Sequence, residues 1–297
     1  MNYKIGVDLG GTKTEVLVLK DKDTILRKRY KTPSGNNYDK ILNNLIDIIS
    51  EAITIIPKEN EFSVGIGIPG SIDTNDLVQN ANTTSLIGKP LKKDIENSLK
   101  MEVSVENDAN CFTLAESISG ACSNYGLVFG IIMGTGCGGG ISINKKIRSE
   151  PNNIAGEWGH MSVNPHGHDC YCGKKGCIET LISGKGVEND YFVRFNKTLS
   201  MEEIVYGAKD DDEKCLIVYN SFLDNFGRVL GGLISILDPD AVVLGGGLSN
   251  IDDLYTKGIE LVRKNAFHAD LKTPILKNKL GDSAGVYGAA WLSKEGN

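Results

Sequence analysis

The most restrictive feature of this chain is a short unit that occurs twice. Residues 4–19, KIGVDLGGTKTEVLVL, run from an apolar stretch through a Gly-Gly turn into a second, alternating apolar stretch. Residues 126–147, GLVFGIIMGTGCGGGISINKKI, do the same. Period-two alternation marks a half-buried strand, and a glycine turn between two such runs marks a hairpin. Glycine at the turn lets the backbone approach a ligand more closely than any Cβ would allow. The duplication predicts two related domains facing each other across a cleft. Further clusters, GIGIPGS, VVLGGG and GVYGAA, also border apolar runs. The chain has 35 glycines in 297 residues, where the average usage of about 7% would give about 21.

The segments between these units read as alternating strand and helix. Residues 25–32 continue the first hairpin as a third antiparallel strand, and residues 38–56 carry apolar positions at helical spacing. Residues 62–68 form a strand stopped by Pro69-Gly70, residues 90–100 a second helix, and residues 103–107 a short strand running into a helix that starts near Asp108. Ser200 and Glu203 have capping-box spacing. A long helix spans about 212–237, ended by Asp238-Pro239, with Gly231-Gly232 inside it as a sign of close packing. AVVLGGGLSN reads as a buried strand, glycine turn and helix start, and GVYGAAWLSK as a last glycine turn and helix.

Composition excludes several classes. A net charge of −6 argues against a dedicated nucleic-acid binder, which would carry a basic patch or stripe. No apolar run reaches the roughly 18 residues of a membrane helix, so no membrane association is expected. MNYKIGVDLGG has no apolar run with a cleavage site, which points to a cytoplasmic protein. Cys111, Cys122, Cys137 and Cys215 lie among apolar neighbours and read as reduced core residues.

The glycine loops point to phosphate. GTGCGGG formally matches G-x-G-x-x-G, but an alternating strand follows it where a dinucleotide fold needs a helix. DLGGTKT lacks the spacing of a P-loop. What remains is backbone amides in two hairpin turns that can approach phosphate oxygens, with hydroxyls from Thr12 and Thr135 and the charge of Lys13. Asp8 beside phosphates would be repulsive unless Mg²⁺ stood between them.

Residues 159–180, GHMSVNPHGHDCYCGKKGCIET, hold three of the seven cysteines and three of the four histidines. Cys170, Cys172 and Cys177 can wrap one tetrahedral ion and leave one vertex open, and on spacing alone His160, His166 and His168 are rivals for it. A disulfide would leave a thiol over, and a redox switch is the minor alternative. In the sequence EN-Asp108-AN, the aspartate by itself reads most simply as a helix N-cap.

Taken together, DLGGTK, GIPG, ENDAN, GTGCGGG, AGEWGH, CYCGKKGCIE and VVLGGG, in that order from Gly6 to Trp291, resemble the ROK family of sugar kinases, within the sugar kinase, Hsp70 and actin superfamily. The resemblance implies an α/β fold of the two-domain, actin-like ATPase (RNase H-like) kind, with duplicated β-sheet domains and helices around an inter-domain cleft. The expected boundaries are residues 1–118 plus 283–297 for a small lobe and 119–282 for a large lobe with a zinc-binding insertion. GVDLGGTKTEV, GIPGSI, QNANTTSLIGKPL, AGEWGH and CYCGKKGCIETLISG look most like the bacterial fructokinase (manno-fructokinase) branch, with the N-acetylglucosamine kinase branch as near neighbour.

The family pattern further implies an ATP-dependent, Mg²⁺-requiring transfer of phosphate to the 6-hydroxyl of fructose, or of mannose or glucose. The alternative is an N-acetylglucosamine or N-acetylmannosamine kinase. Asp108 would be the general base. Gly70, Asn82, Asn107, Asp108, Glu157, His160 and Glu179 would contact the sugar. Asp8, Gly10, Gly11, Thr12, Lys13, Gly134, Thr135, Gly136, Gly138, Gly139, Gly245 and Gly246 would hold the nucleotide. His160, Cys170, Cys172 and Cys177 would hold a structural zinc that clamps together the segments bearing Glu157 and Glu179. The partner is a hexose, and the family is often homodimeric. ROK repressors carry a DNA-binding domain ahead of DLGGTK; here the motif begins at Asp8, which disfavours that class. The zinc cluster and ENDAN argue against an actin- or Hsp70-like ATPase. One departure bears on sugar specificity: the loop before AGEWGH, Ile147–Asn153, has no glycine where the family usually does.

Overall fold

A computed structural model describes residues 3–35, 37–149, 151–268 and 270–292. The chain divides into two compact units. The first comprises residues 1–119, 145–155 and 280–297, and the second residues 120–144 and 156–279. Residues 145–155, expected in the larger lobe, thus go with the first unit. Glu150, in the glycine-free loop, and residues 293–297, in the expected terminal helix and small lobe, lie outside the described residues.

The first unit is built on strands β1 (Tyr3–Leu9), β2 (Lys13–Lys20), β3 (Asp23–Lys31), β4 (Phe62–Ile68) and a later strand, Ser104–Asn107. Between them in the chain are helix α1 (Tyr38–Ile53), a small antiparallel hairpin of β5 (Ser71–Ile72) and β6 (Val78–Gln79), and helix α2 (Leu91–Leu99). Ser104–Asn107 is therefore β7. The sheet order is β3-β2-β1-β4-β7, antiparallel across β3-β2-β1 and parallel across β1-β4-β7. Helix α1 buries Ile41, Leu45, Ile48, Ile49 and Ala52, spaced for one helical face, in a core shared with Val7 and Ile66 of the sheet.

Helix α3 (Asp108–Ile118) leaves directly from β7. The last helix of the chain, Ala284–Ala290, packs on the same sheet so closely that a Cβ on Gly6 or Gly65 would run into the carbonyls of Val286 and Ala289. The glycines inside β1 and β4 are therefore packing residues, in contrast to those in the turns.

The second unit repeats the plan with β8 (Leu127–Met133) and β9 (Cys137–Ile143), followed in the chain by β10 (Lys146–Ile147) and later by β11 (Ala241–Gly245) and β12 (Ile275–Lys277). The order β9-β8-β11-β12 matches β2-β1-β4-β7: one antiparallel hairpin, then parallel neighbours. Its helices are α4 (Glu179–Ile182), α5 (Gly184–Phe195), α6 (Met201–Lys209), α7 (Glu213–Leu237) and α8 (Lys257–Asn265), which makes Ala284–Ala290 α9. The capping box forms at α6, where Glu203 N donates to Ser200 Oγ at 3.2 Å and Ser200 N donates to Glu203 Oε2 at 2.7 Å. Asp212 caps α7 by accepting from Cys215 N at 2.9 Å. The duplicated α/β architecture read from the sequence is present. Helices α5 and α8 and strand β12 had not been anticipated.

Candidate active site and metal centre

In the first unit the β1–β2 turn is a tight loop in which Gly10 N donates to Lys13 O at 2.9 Å. Thr32 anchors it from behind, through its N–H to Thr12 O at 3.0 Å and its hydroxyl to Gly10 O at 2.7 Å. The loop's carbonyls are thus held on the inner side, while Gly11, Thr12 and Lys13 stand exposed. An exposed backbone turn with a hydroxyl and an ammonium is suited to anionic oxygens.

Asp8, at the end of β1, lies opposite Glu15 in the strand register. Glu15 is buried but well partnered: Arg29 Nε is 3.1 Å and Arg27 Nε 3.7 Å from its carboxylate, and Ser283 Oγ donates to it at 3.1 Å. Burial, and then the charges of Asp108 and Glu15, push the Asp8 carboxyl up to about 7. Clustered carboxylates of this kind are stabilised by a divalent cation, so the residues present fit Mg²⁺.

Asp108 is the first residue of α3, and the cap is its neighbour. Asn107 Oδ1 accepts from Ala109 N at 2.9 Å and Asn110 N at 3.3 Å, and its Nδ2 donates to Gly70 O at 3.0 Å. The simple cap reading thus belongs to Asn107, whose amide is largely committed to the backbone. Asp108, with Oδ1 accepting from Ala109 N at 2.8 Å, is half-buried at the first position of the helix. Gly70 has φ +123°, and a Cβ there would lie 2.6 Å from Gln79 O, so its presence is required by the backbone. Asn82 lies in an exposed segment ahead of a 3-10 turn at Thr84–Leu86.

In the second unit, the loop Gly134–Gly136 is gripped from outside. Gly184 N donates to Gly134 O at 2.8 Å, Lys185 N to Thr135 O at 3.4 Å, and Cys137 N to Glu179 Oε2 at 3.0 Å. Beside it lies a cavity of about 790 Å³ lined by Thr135, Lys185, Glu188, Glu202, Tyr206 and Gly247 among others, within the size range of small-ligand sites. Gly246, with φ +76°, shapes the turn that brings Gly247 to this cavity, and Gly245 is buried in β11. Gly138 and Gly139, expected at the phosphates, belong to β9. A Cβ on Gly139 would meet Trp158 at 2.8 Å and Gly156 O at 2.9 Å, so its small size serves packing. Lys185, Glu188 and Tyr206 were missed because they sit on α5 and α6, where the sequence carries no turn or ligand signal.

Glu157 and His160 open and close a 3-10 turn. Burial raises the Glu157 carboxyl; nearby His160 opposes this and the Glu179 charge adds to it. The ligand atoms of His160, Cys170, Cys172 and Cys177 all lie within 4.8 Å of one another. His160 Nδ1 is 3.6 Å from Cys170 Sγ, and the sulfurs of Cys172 and Cys177 are 3.6 Å apart. Tetrahedral zinc ligands stand about 3.4–3.8 Å from each other, so this donor set fits the ion. His168 is drawn away by Asp190, 3.3 Å from its Nε2, and His166 lines a separate cavity with Asp190 and Arg194. Two backbone bonds, Val163 N to Gly176 O at 2.9 Å and Ile178 N to Met161 O at 3.0 Å, also join the two ligand-bearing segments.

Beside this cluster, Tyr171 places its hydroxyl 3.0 Å from His160 Nε2, with the two rings edge-on at 5.1 Å. Desolvation of the hydroxyl, then the charges of Glu179, Cys170 and Glu157, push the phenol up to about 12. The sequence reading passed over Tyr171, since nothing in C-Y-C spacing tells where the middle side chain points.

The duplicated sheets each carry a glycine turn suited to phosphate oxygens. The chain belongs to the ROK family, whose model matches residues 4–296. It is 38% identical over 300 residues to the N-acetyl-D-glucosamine kinase of Pectobacterium atrosepticum, covering 97% of both chains. Among solved structures it superposes on a ROK hexokinase from Thermus thermophilus with a TM-score of 0.87, at 27% identity over 98% of this chain and 97% of that one. A ROK family glucokinase from Streptomyces griseus, in complex with glucose and AMPPNP, gives 0.78 at 28% identity over 99% and 100%. Three relatives at 36–38% identity are named for N-acetyl-D-glucosamine, which corrects the fructokinase branch expected from the motifs. Among the described residues no helix is long and apolar enough to cross a membrane.

Proposed function

We propose that this sugar kinase transfers the γ-phosphoryl group of ATP to the 6-hydroxyl of N-acetylglucosamine. The observation that carries the reading is the 38% identity to an N-acetyl-D-glucosamine kinase along 97% of both chains. Asp108 orients the acceptor hydroxyl and takes its proton as the O–P bond forms, while ADP leaves with the other bond. A carboxylate at the first position of a helix faces the positive end of the helix dipole. Gly10–Lys13 and Gly134–Gly136 supply donors to phosphate oxygens, and the cavity beside Thr135 takes the nucleoside. Glu157, His160 and Glu179 accept or donate to sugar hydroxyls, with one N–H of Asn107 left to add a further contact. Mg²⁺, held near Asp8, neutralises phosphate charge when bound. His160, Cys170, Cys172 and Cys177 would hold zinc with four protein ligands, which would give it a structural role.

The test is coupled ADP release with Mg-ATP and a panel of N-acetylglucosamine, N-acetylmannosamine, glucose, mannose and fructose. The highest kcat/KM is expected for N-acetylglucosamine; a preference for fructose would restore the branch that the motifs suggested. Asp108→Asn should lower kcat by about 10²–10⁴-fold while sugar affinity changes little. Near-normal turnover in that variant would remove Asp108 from the chemistry.

A further inference from the structure

We propose that the Tyr171 hydroxyl is a stand-in for a sugar hydroxyl: it occupies His160 Nε2 in the empty protein and is displaced when the sugar binds. The inference rests on the reading of His160 as both zinc ligand and sugar contact. Nδ1 faces the thiols, 3.6 Å from Cys170 Sγ, and a histidine that ligates through Nδ1 carries its proton on Nε2. A metal-bound histidine nearly always donates that second N–H to an acceptor, which fixes the ring and its tautomer. Here the acceptor within reach is the Tyr171 hydroxyl, at 3.0 Å.

Two features make it a replaceable partner. Tyr171 is 75% exposed, so swinging the ring aside uncovers little apolar surface. It also lies between two of the metal-binding cysteines, so folding of the knuckle itself brings the phenol back to the histidine. A sugar hydroxyl arriving at Nε2 must first break this bond. A hydrogen bond of this kind contributes about 0.5–1.5 kcal/mol, which corresponds to about 2- to 10-fold in sugar affinity. The empty site thus keeps His160 oriented, at the expense of weaker binding.

The experiment compares Tyr171→Phe with the wild-type chain. Phenylalanine keeps the edge-on ring contact and alters an exposed position, so the fold is not at risk. Calorimetric titration with N-acetylglucosamine should show about 2- to 10-fold tighter binding, with the change in KM and not in kcat. Unchanged or weaker binding overturns the proposal. In the absence of sugar, zinc should pass to a competing chelator faster from Tyr171→Phe than from the wild type; equal rates overturn the proposal as well. If the wild-type chain bound no sugar of the panel, the substrate reading would fail and the stand-in role with it, while the zinc-exchange comparison would still decide whether Tyr171 holds His160.

Discussion

Glu179 reaches back to the backbone of Cys137, its Oε2 accepting the amide at 3.0 Å, so the acid proposed for the sugar also holds the loop proposed for phosphate. A Cβ on Gly136 would lie 2.7 Å from that same oxygen, which explains glycine there better than backbone freedom does. Glu179→Gln retains an acceptor and should leave nucleotide affinity near the wild-type value. Glu179→Ala should weaken AMPPNP binding by about 10- to 150-fold even without sugar, since a hydrogen bond to a charged group contributes about 1.5–3 kcal/mol. Gly136→Ala should act in the same direction. Titration of both variants with AMPPNP alone decides the matter: an alanine variant that binds nucleotide normally would confine Glu179 to the sugar.

Asp8 makes the nucleotide-free protein sensitive to pH. Its carboxyl is raised from 3.8 to about 7 by burial and by the Asp108 and Glu15 charges. The folded state therefore binds the proton more tightly than the unfolded state. The contribution to stability is fully present below pH 4 and is lost as pH rises through about 7, by an amount on the order of a few kcal/mol. Asp8→Asn should flatten this part of the profile and raise the melting temperature at pH 7.5 in the absence of divalent cations. Melting curves between pH 4.5 and 8 provide the check, and a variant with the wild-type slope would refute the assignment.

The proposed zinc ligands sit on segments already tied by backbone bonds, and this sets the expectation for Cys172→Ser. Wild-type chain should carry one zinc and the variant none. Because Val163–Gly176 and Met161–Ile178 pairing persists, the overall fold should survive, with sugar KM raised about 10- to 100-fold through lost positioning of His160 and Glu157. Metal analysis and circular dichroism on the same samples separate these effects. A zinc-free variant of full activity would show that the ion positions nothing.

The parts legible in sequence were those written in short-range pattern. Period-two runs around glycine marked the two hairpins, and C-x-C-x₄-C spacing marked the three clustered cysteines, while His160 came from the family resemblance. Helix α5 was not legible because GKGVENDYFVRF buries only Gly184, Gly186, Val187 and Tyr191, too few apolar residues to make a stripe. The structural hydrogen bonds of Asn107 and Glu179 were out of reach for a different reason. Each makes its telling hydrogen bond to a residue distant in the chain, Gly70 in one case and Cys137 in the other. The branch was not legible because motif residues fix the shared chemistry of hydroxyl and phosphate, whereas room for an acetamido group is a property of pocket shape.

Two adjacent glycines in α7 separate packing from propensity. The sequence marked Gly231-Gly232 as a costly pair retained for close approach, but the neighbours of the two differ. A Cβ on Gly231 would lie 2.8 Å from the carbonyl carbon of Asn265 at the end of α8, whereas a Cβ on Gly232 meets nothing within 4 Å. Gly231→Ala must push α8 away and should destabilise by about 1–3 kcal/mol. Gly232→Ala gains helix propensity and a smaller unfolded-state entropy, and should stabilise by about 0.5–1 kcal/mol. Urea unfolding of the two variants should shift the midpoint in opposite directions with m unchanged. Equal shifts would mean that α7 and α8 do not pack on Gly231 as described.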